Sequence, residues 1–119
     1  MSIDGLWMVR FTLLDGARFD YGGGVVVFDA GRVFGGDSGA FYVGHYKRKG
    51  DQLDVKIRVG FHDPAVPSVF GAGFSEYTLL GRGQVSPNED VIELAAAPDI
   101  APERSLVIKL FRLADLPSP

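Results

Sequence analysis

Cysteine is absent from the chain, which excludes disulfides and thiolate chemistry and fits a reducing, cytoplasmic setting. Long apolar runs are absent too: the longest is only a few residues, so no segment is expected to span a bilayer as a helix. The opening Met1-Ser2-Ile3-Asp4 has no basic region followed by an apolar stretch, and no signal peptide is expected. An excess of base is lacking. The formal net charge is −3, unlike the basic stripe of a nucleic-acid binder, so direct nucleic-acid binding is not expected. Helical periodicity is missing as well, since no window of a dozen residues repeats apolar positions at three- and four-residue spacing.

What is present points to strands. At 119 residues the chain is read as a single domain, with about 114–119 as a frayed tail. Such a chain buries roughly two-thirds of its unfolded surface, enough for one core without staples. Leu53-Asp54-Val55-Lys56-Ile57-Arg58-Val59 alternates apolar with polar residues, the pattern of a strand with one face on a core and one in water. Similar segments are read at about 5–14, 19–29, 32–35, 40–47, 52–61, 74–85, 91–96 and 105–113. Turn chemistry separates them at Asp15-Gly16, Ala30-Gly31, Gly36-Asp37-Ser38-Gly39, Lys49-Gly50-Asp51 and Pro87-Asn88. Eight strands joined by short turns pair antiparallel with their sequence neighbours. Closure removes the two free edges, so the expected fold is all-β, a small eight-stranded antiparallel up-and-down barrel. Its interior is either filled by side chains or holds one small ligand; the many aromatic and branched residues favour filling.

Two features go beyond the fold. The first and last strands are apolar on both faces, with Leu6 and Met8 opposite the Trp7 set and Val107, Phe111 and Leu113 opposite the Leu106 set. Their outer faces either form a homodimer interface, the favoured reading, or cover each other within one chain. The second feature is the long loop at 62–73, whose Val66, Val69 and Phe70 are too apolar for a solvated turn and whose Pro67-Ser68-Val69-Phe70 is the candidate barrel-mouth segment. It either plugs the barrel mouth, as favoured, or forms a lid or partner-binding lip.

Candidate chemistry is sparse. His45 and His62 would need convergent carboxylates to hold a metal, and Asp63 beside His62 points to the other side of an extended chain; both are read as structural. Gly73-Phe74-Ser75-Glu76-Tyr77 lacks the second glycine and the following helix of a nucleophile elbow, and neither Ser38 nor Ser68 suggests a triad. No catalytic, metal or cofactor residue is expected. Gly22-Gly23-Gly24 and Gly35-Gly36 have no helix after them to cradle phosphate and instead permit a sharp bend or a close backbone approach. Lys47-Arg48-Lys49, with Asp51, is the one concentrated basic turn; it is either an ordinary solvated turn or a contact for an acidic partner.

Four segments together resemble the GrlR-like family of small bacterial regulators linked to control of type III secretion. They are Asp4-Gly5-Leu6-Trp7, Gly24-Val25-Val26-Val27, Gly35-Gly36-Asp37 with Tyr42-Val43-Gly44-His45-Tyr46, and Pro67-Ser68-Val69-Phe70. The resemblance covers about the first three-fifths of the chain. It implies a lipocalin/calycin-like barrel, dimerisation, and repression by sequestering a transcriptional activator through an acidic turn. Here that turn falls at Lys47–Asp51 and is basic apart from Asp51. A sign reversal disfavours the same partner by like-charge repulsion, so no binding residue is carried across. The expectation is a non-catalytic regulatory module that binds a protein partner, such as a transcriptional regulator. The alternatives are a carrier of a small apolar ligand or lipid and, more weakly, an enzyme using His45 or His62.

Overall fold

Alternation sets the architecture. In the segment Gln52–Phe61, Leu53, Val55 and Val59 are buried while Lys56 and Arg58 are exposed. The computed structural model describes residues 2–13, 20–21, 23–63, 65 and 76–119. Its strands are β1 (Gly5–Leu13), β2 (Asp20–Tyr21), β3 (Val25–Asp29), β4 (Arg32–Gly36), β5 (Ala40–Lys49), β6 (Gln52–Phe61), β7 (Tyr77–Val85), β8 (Val91–Pro98) and β9 (Leu106–Ala114). No helix occurs among the described residues. Leu14, Phe19, Phe74 and Ser75, which the sequence reading placed in strands, lie outside the described residues, as does the loop segment Pro67-Ser68-Val69-Phe70.

From β3 to β9 each strand pairs antiparallel with the next, and β9 returns to pair with β1 from Leu6↔Ala114 to Leu13↔Leu106. On its other side β1 pairs with β3 near its start, Gly5 opposite Phe28, and with β2 near its end, Phe11 opposite Tyr21. These two stretches form one wall, so the result is a closed eight-stranded, antiparallel up-and-down barrel, consistent with a lipocalin-like fold. The wall breaks at the glycine run. A Cβ on Gly23 would lie 1.2 Å from the Val9 carbonyl oxygen, and the Val9 amide donates to the Gly24 carbonyl at 3.0 Å. Only a residue without a side chain allows that approach.

Inward side chains fill the barrel. Trp7, Phe28, Val33, Leu53, Ile92 and Leu106 are almost wholly inaccessible. Phe28 stands edge-on to both Trp7 (5.9 Å between ring centroids) and Tyr46 (5.2 Å), the arrangement that the ring quadrupoles favour. At one end the chain before β1 folds across the opening. Ile3 is buried there, its carbonyl accepts the Trp7 indole N–H at 2.8 Å, and Arg112 lies over the Trp7 ring at 4.8 Å. Arg112 also donates to the carbonyls of Ser2, Asp4 and Glu89, tying the two ends of the barrel strand order together.

Candidate binding surfaces

The turn Lys47–Asp51 lies at this plugged end. The three consecutive basic residues do not act together. Counting by twos along β5, Tyr42, Tyr46 and Arg48 face inward, while Lys47 and Lys49 face out and are exposed. Arg48 donates to the Gly50 carbonyl at 2.8 Å and pairs with the carboxylate of Glu89 from the β7–β8 turn. Glu89 is only 5% exposed and sits at a positive φ of 59°, so the turn aims this acid into the barrel end. Arg48 is thus a fastening between two turns. Asp51 is exposed, 3.9 Å from Arg48. Lys47 and Lys49 have no side-chain partner among the described residues. β6 ends and β7 begins at the opposite end of the barrel from Lys47–Asp51.

At that far end Asp37 organises the β4–β5 corner. Its carboxylate accepts the amides of Gly39 (2.9 Å) and Ala40 (2.8 Å) and the hydroxyl of Tyr42, while the His62 ring lies 3.1 Å from its carbonyl oxygen. His45 is exposed on the outer face of β5, far along the strand from His62. No group of three or more His, Asp or Glu among the described residues could hold a metal ion.

Burial, then the hydrogen bond to Asp37 and its charge, push the Tyr42 phenol far above its ordinary value near 10. The folded state therefore holds this proton more tightly than the unfolded chain. The resulting stability is complete below about pH 10 and declines above it, where the unfolded phenol ionises and the folded one does not. The expected slope is about 1.4 kcal/mol per pH unit above pH 10 for this group. Urea unfolding at a series of alkaline pH values should show it, and Tyr42→Phe should flatten it. An unchanged slope in that variant would assign the alkaline loss to another group.

Among the described residues a small apolar cavity of about 30 Å³ lies inside the barrel, lined by Val9, Phe11, Phe28, Tyr42, Ile57, Leu94 and neighbours. That is about one water molecule's share of liquid volume, against roughly 300–1,000 Å³ for ligand sites.

The outside is more varied. Two lines of apolar side chains cross neighbouring strands: Val91–Phe111–Met8–Val25 over β8, β9, β1 and β3, and Leu6–Val27–Phe34–Val43 over β1, β3, β4 and β5. Val25, Phe34, Val43 and Val91 are exposed, with Val43 at 49%, and so is Leu113 beside them. Pairing of β1 with β9 closes the barrel edge to edge and leaves these outer faces uncovered. The outer-face residues Leu6, Met8, Val107, Phe111 and Leu113 were legible in the sequence; their continuation onto β3, β4, β5 and β8 depends on register.

Between the ends of these lines, the outward residues of β5 to β8 border a trough of about 570 Å³. His45 stands opposite Lys56 and Lys56 opposite Leu80; Lys47 stands opposite Asp54 and Asp54 opposite Arg82. Arg82 donates to Asp54 at 2.6 Å, a bond that holds the guanidinium still more firmly protonated. Leu80 is 50% exposed on the trough floor. Of these residues Lys47 and His45 were singled out from the sequence, but not their neighbours, because nothing in one strand shows which residues of the next stand beside it. No protein-family model matches the chain, and no curated protein matches it in sequence.

Proposed function

We propose that this protein is a non-catalytic regulatory module that works by binding protein, as the resemblance to GrlR-like regulators suggests, and that it pairs with a second copy of itself. The observation that carries the reading is where its apolar surface lies. Among the described residues the barrel interior holds a cavity of about 30 Å³, while Val25, Phe34, Val43 and Val91 present exposed apolar surface on the outside. Uncovered patches of that kind mark interaction sites on soluble proteins.

The occupant best suited to the two apolar lines is the same face of another copy. Neither line contains an acid or a base, so a two-fold pairing brings no like charges together. The lines cross six neighbouring strands, whose five spacings of about 4.8 Å spread them over roughly 24 Å of the barrel's girth. That suits the apolar centre of a standard interface of about 800 Å² per partner, with a polar rim around it. A cytoplasmic setting, in keeping with the absence of cysteine, belongs to the same proposal.

Light scattering after size exclusion should report two chains per particle at micromolar concentration. Val25→Glu with Phe34→Glu should weaken association by about two orders of magnitude, because each buries a charge at the centre of the contact. Circular dichroism should stay that of the wild type. A wild-type monomer at high micromolar concentration would overturn the pairing.

A further inference from the structure

The trough over β5 to β8 adjoins the ends of the apolar lines, which reach the same two outer strands at Val43 and Val91, and has a different chemistry. Within a chain of net charge −3 it gathers Lys47, Lys56 and Arg82 against one acid, Asp54. That acid is already held by Arg82 at 2.6 Å. The ammonium groups of Lys47 and Lys56 have no side-chain partner among the described residues. Cross-strand neighbours lie about 5 Å apart and same-face neighbours about 7 Å apart along a strand. Two uncompensated cations therefore stand within one peptide's reach, Lys56 directly beside the half-exposed Leu80 and Lys47 on the neighbouring line. Charge and shape together ask for a ligand with carboxylates close to an apolar side chain.

A nucleic acid fits less well. Asp54 stands in the middle of the second line, where a phosphate backbone would meet it. The one Tyr at the trough, Tyr46, is committed: its ring packs on Phe28 and its hydroxyl donates to Asp4 at 2.8 Å. No exposed Phe, Tyr or Trp ring is left there for a base to stack on, the usual source of single-strand affinity. We propose that this trough docks an acidic segment of a partner protein, its carboxylates on Lys47 and Lys56 and an apolar side chain against Leu80. The inference rests on reading the protein as a protein-binding module and names the chemistry of what it binds.

The test uses the full chain and a short fluorescent peptide alternating glutamate with leucine. Saturable binding that weakens as salt is raised is expected, since these charges are exposed. Lys47→Glu with Lys56→Glu should weaken it about tenfold or more and should gain affinity for the corresponding lysine–leucine peptide, which separates a charge effect from misfolding. Arg10→Glu, a single charge reversal on β1, should leave binding unaltered. Equal binding by the reversed variant, equal binding of a glutamine–leucine peptide, or tighter binding of an oligothymidylate would each overturn the proposal. Light scattering on the same samples keeps the two readings apart. A dimer that ignores the peptide removes only the trough, and a monomer that binds it keeps the trough and removes the pairing.

Discussion

Trp7→Ala is expected to lower stability by about 4 kcal/mol, the loss typical of truncating a fully buried large aromatic. Trp7 has no accessible surface and stands at the crossing of three constraints. Its ring packs edge-on against Phe28, its face lies under the Arg112 guanidinium, and its N–H is the donor that holds the Ile3 carbonyl. Domains of this size are stable by only about 5–15 kcal/mol, so the variant sits near the limit of folding at ambient temperature. Thermal melts should fall by roughly 15 °C. Trp7→Phe separates the contributions. It keeps most of the packing and leaves the buried Ile3 carbonyl without its partner, which should cost about 1–2 kcal/mol beyond the small change in volume. If Trp7→Ala melted within a few degrees of the wild type, the barrel would not depend on this plug.

The second large effect is expected at Arg48. Removing it as Arg48→Met leaves the Glu89 carboxylate buried with no counter-charge. Breaking a fully buried pair from one side costs about 3–5 kcal/mol; Arg48 keeps 23% of its side-chain surface, so about 2–3 kcal/mol is expected here. Arg48→Met combined with Glu89→Leu should recover most of that loss, since two apolar groups replace two ions and no charge is left behind. Denaturant melts of the two single variants and the double variant form the cycle. Additive losses would show that the pair does not act as a unit. Lys49→Glu, one residue away and facing solvent, should change stability by less than about 0.5 kcal/mol.

That contrast between neighbours marks how far the sequence can be read. The alternation in Leu53–Val59 located β6 from Gln52 to Phe61, and the other strands emerged within a few residues because each turn carries its own glycine, proline or asparagine. The barrel followed from counting those strands. Arg48 was harder. Three basic residues in a row conceal the period of two, although the phase set by Tyr42 and Tyr46 assigns Arg48 to the interior. Its partner, Glu89, stands 41 positions along the chain, a distance that no local pattern encodes. The same limit explains the trough, which exists only because register places His45 against Lys56 and Asp54 against Arg82. Glycine positions were legible in kind. Gly23 was read as a point of close approach, but the split of its wall into β2 and β3 came from how near Val9 passes.

The pairing of β1 with β9 has a consequence for how the molecule comes into being. A ribosome makes residues 5–13 first and 106–114 last of the strand set, so the chain spends almost its whole synthesis as a curved ribbon with two bare rims. Both rims carry unpaired backbone amides flanked by apolar residues such as Met8 and Val91, a template on which a second nascent ribbon could add strands. Zipping Leu6–Leu13 onto Leu106–Ala114 joins segments about a hundred positions apart, and such distant joins are slow. The interval before that last seam forms is the period in which this protein is most exposed to aggregation.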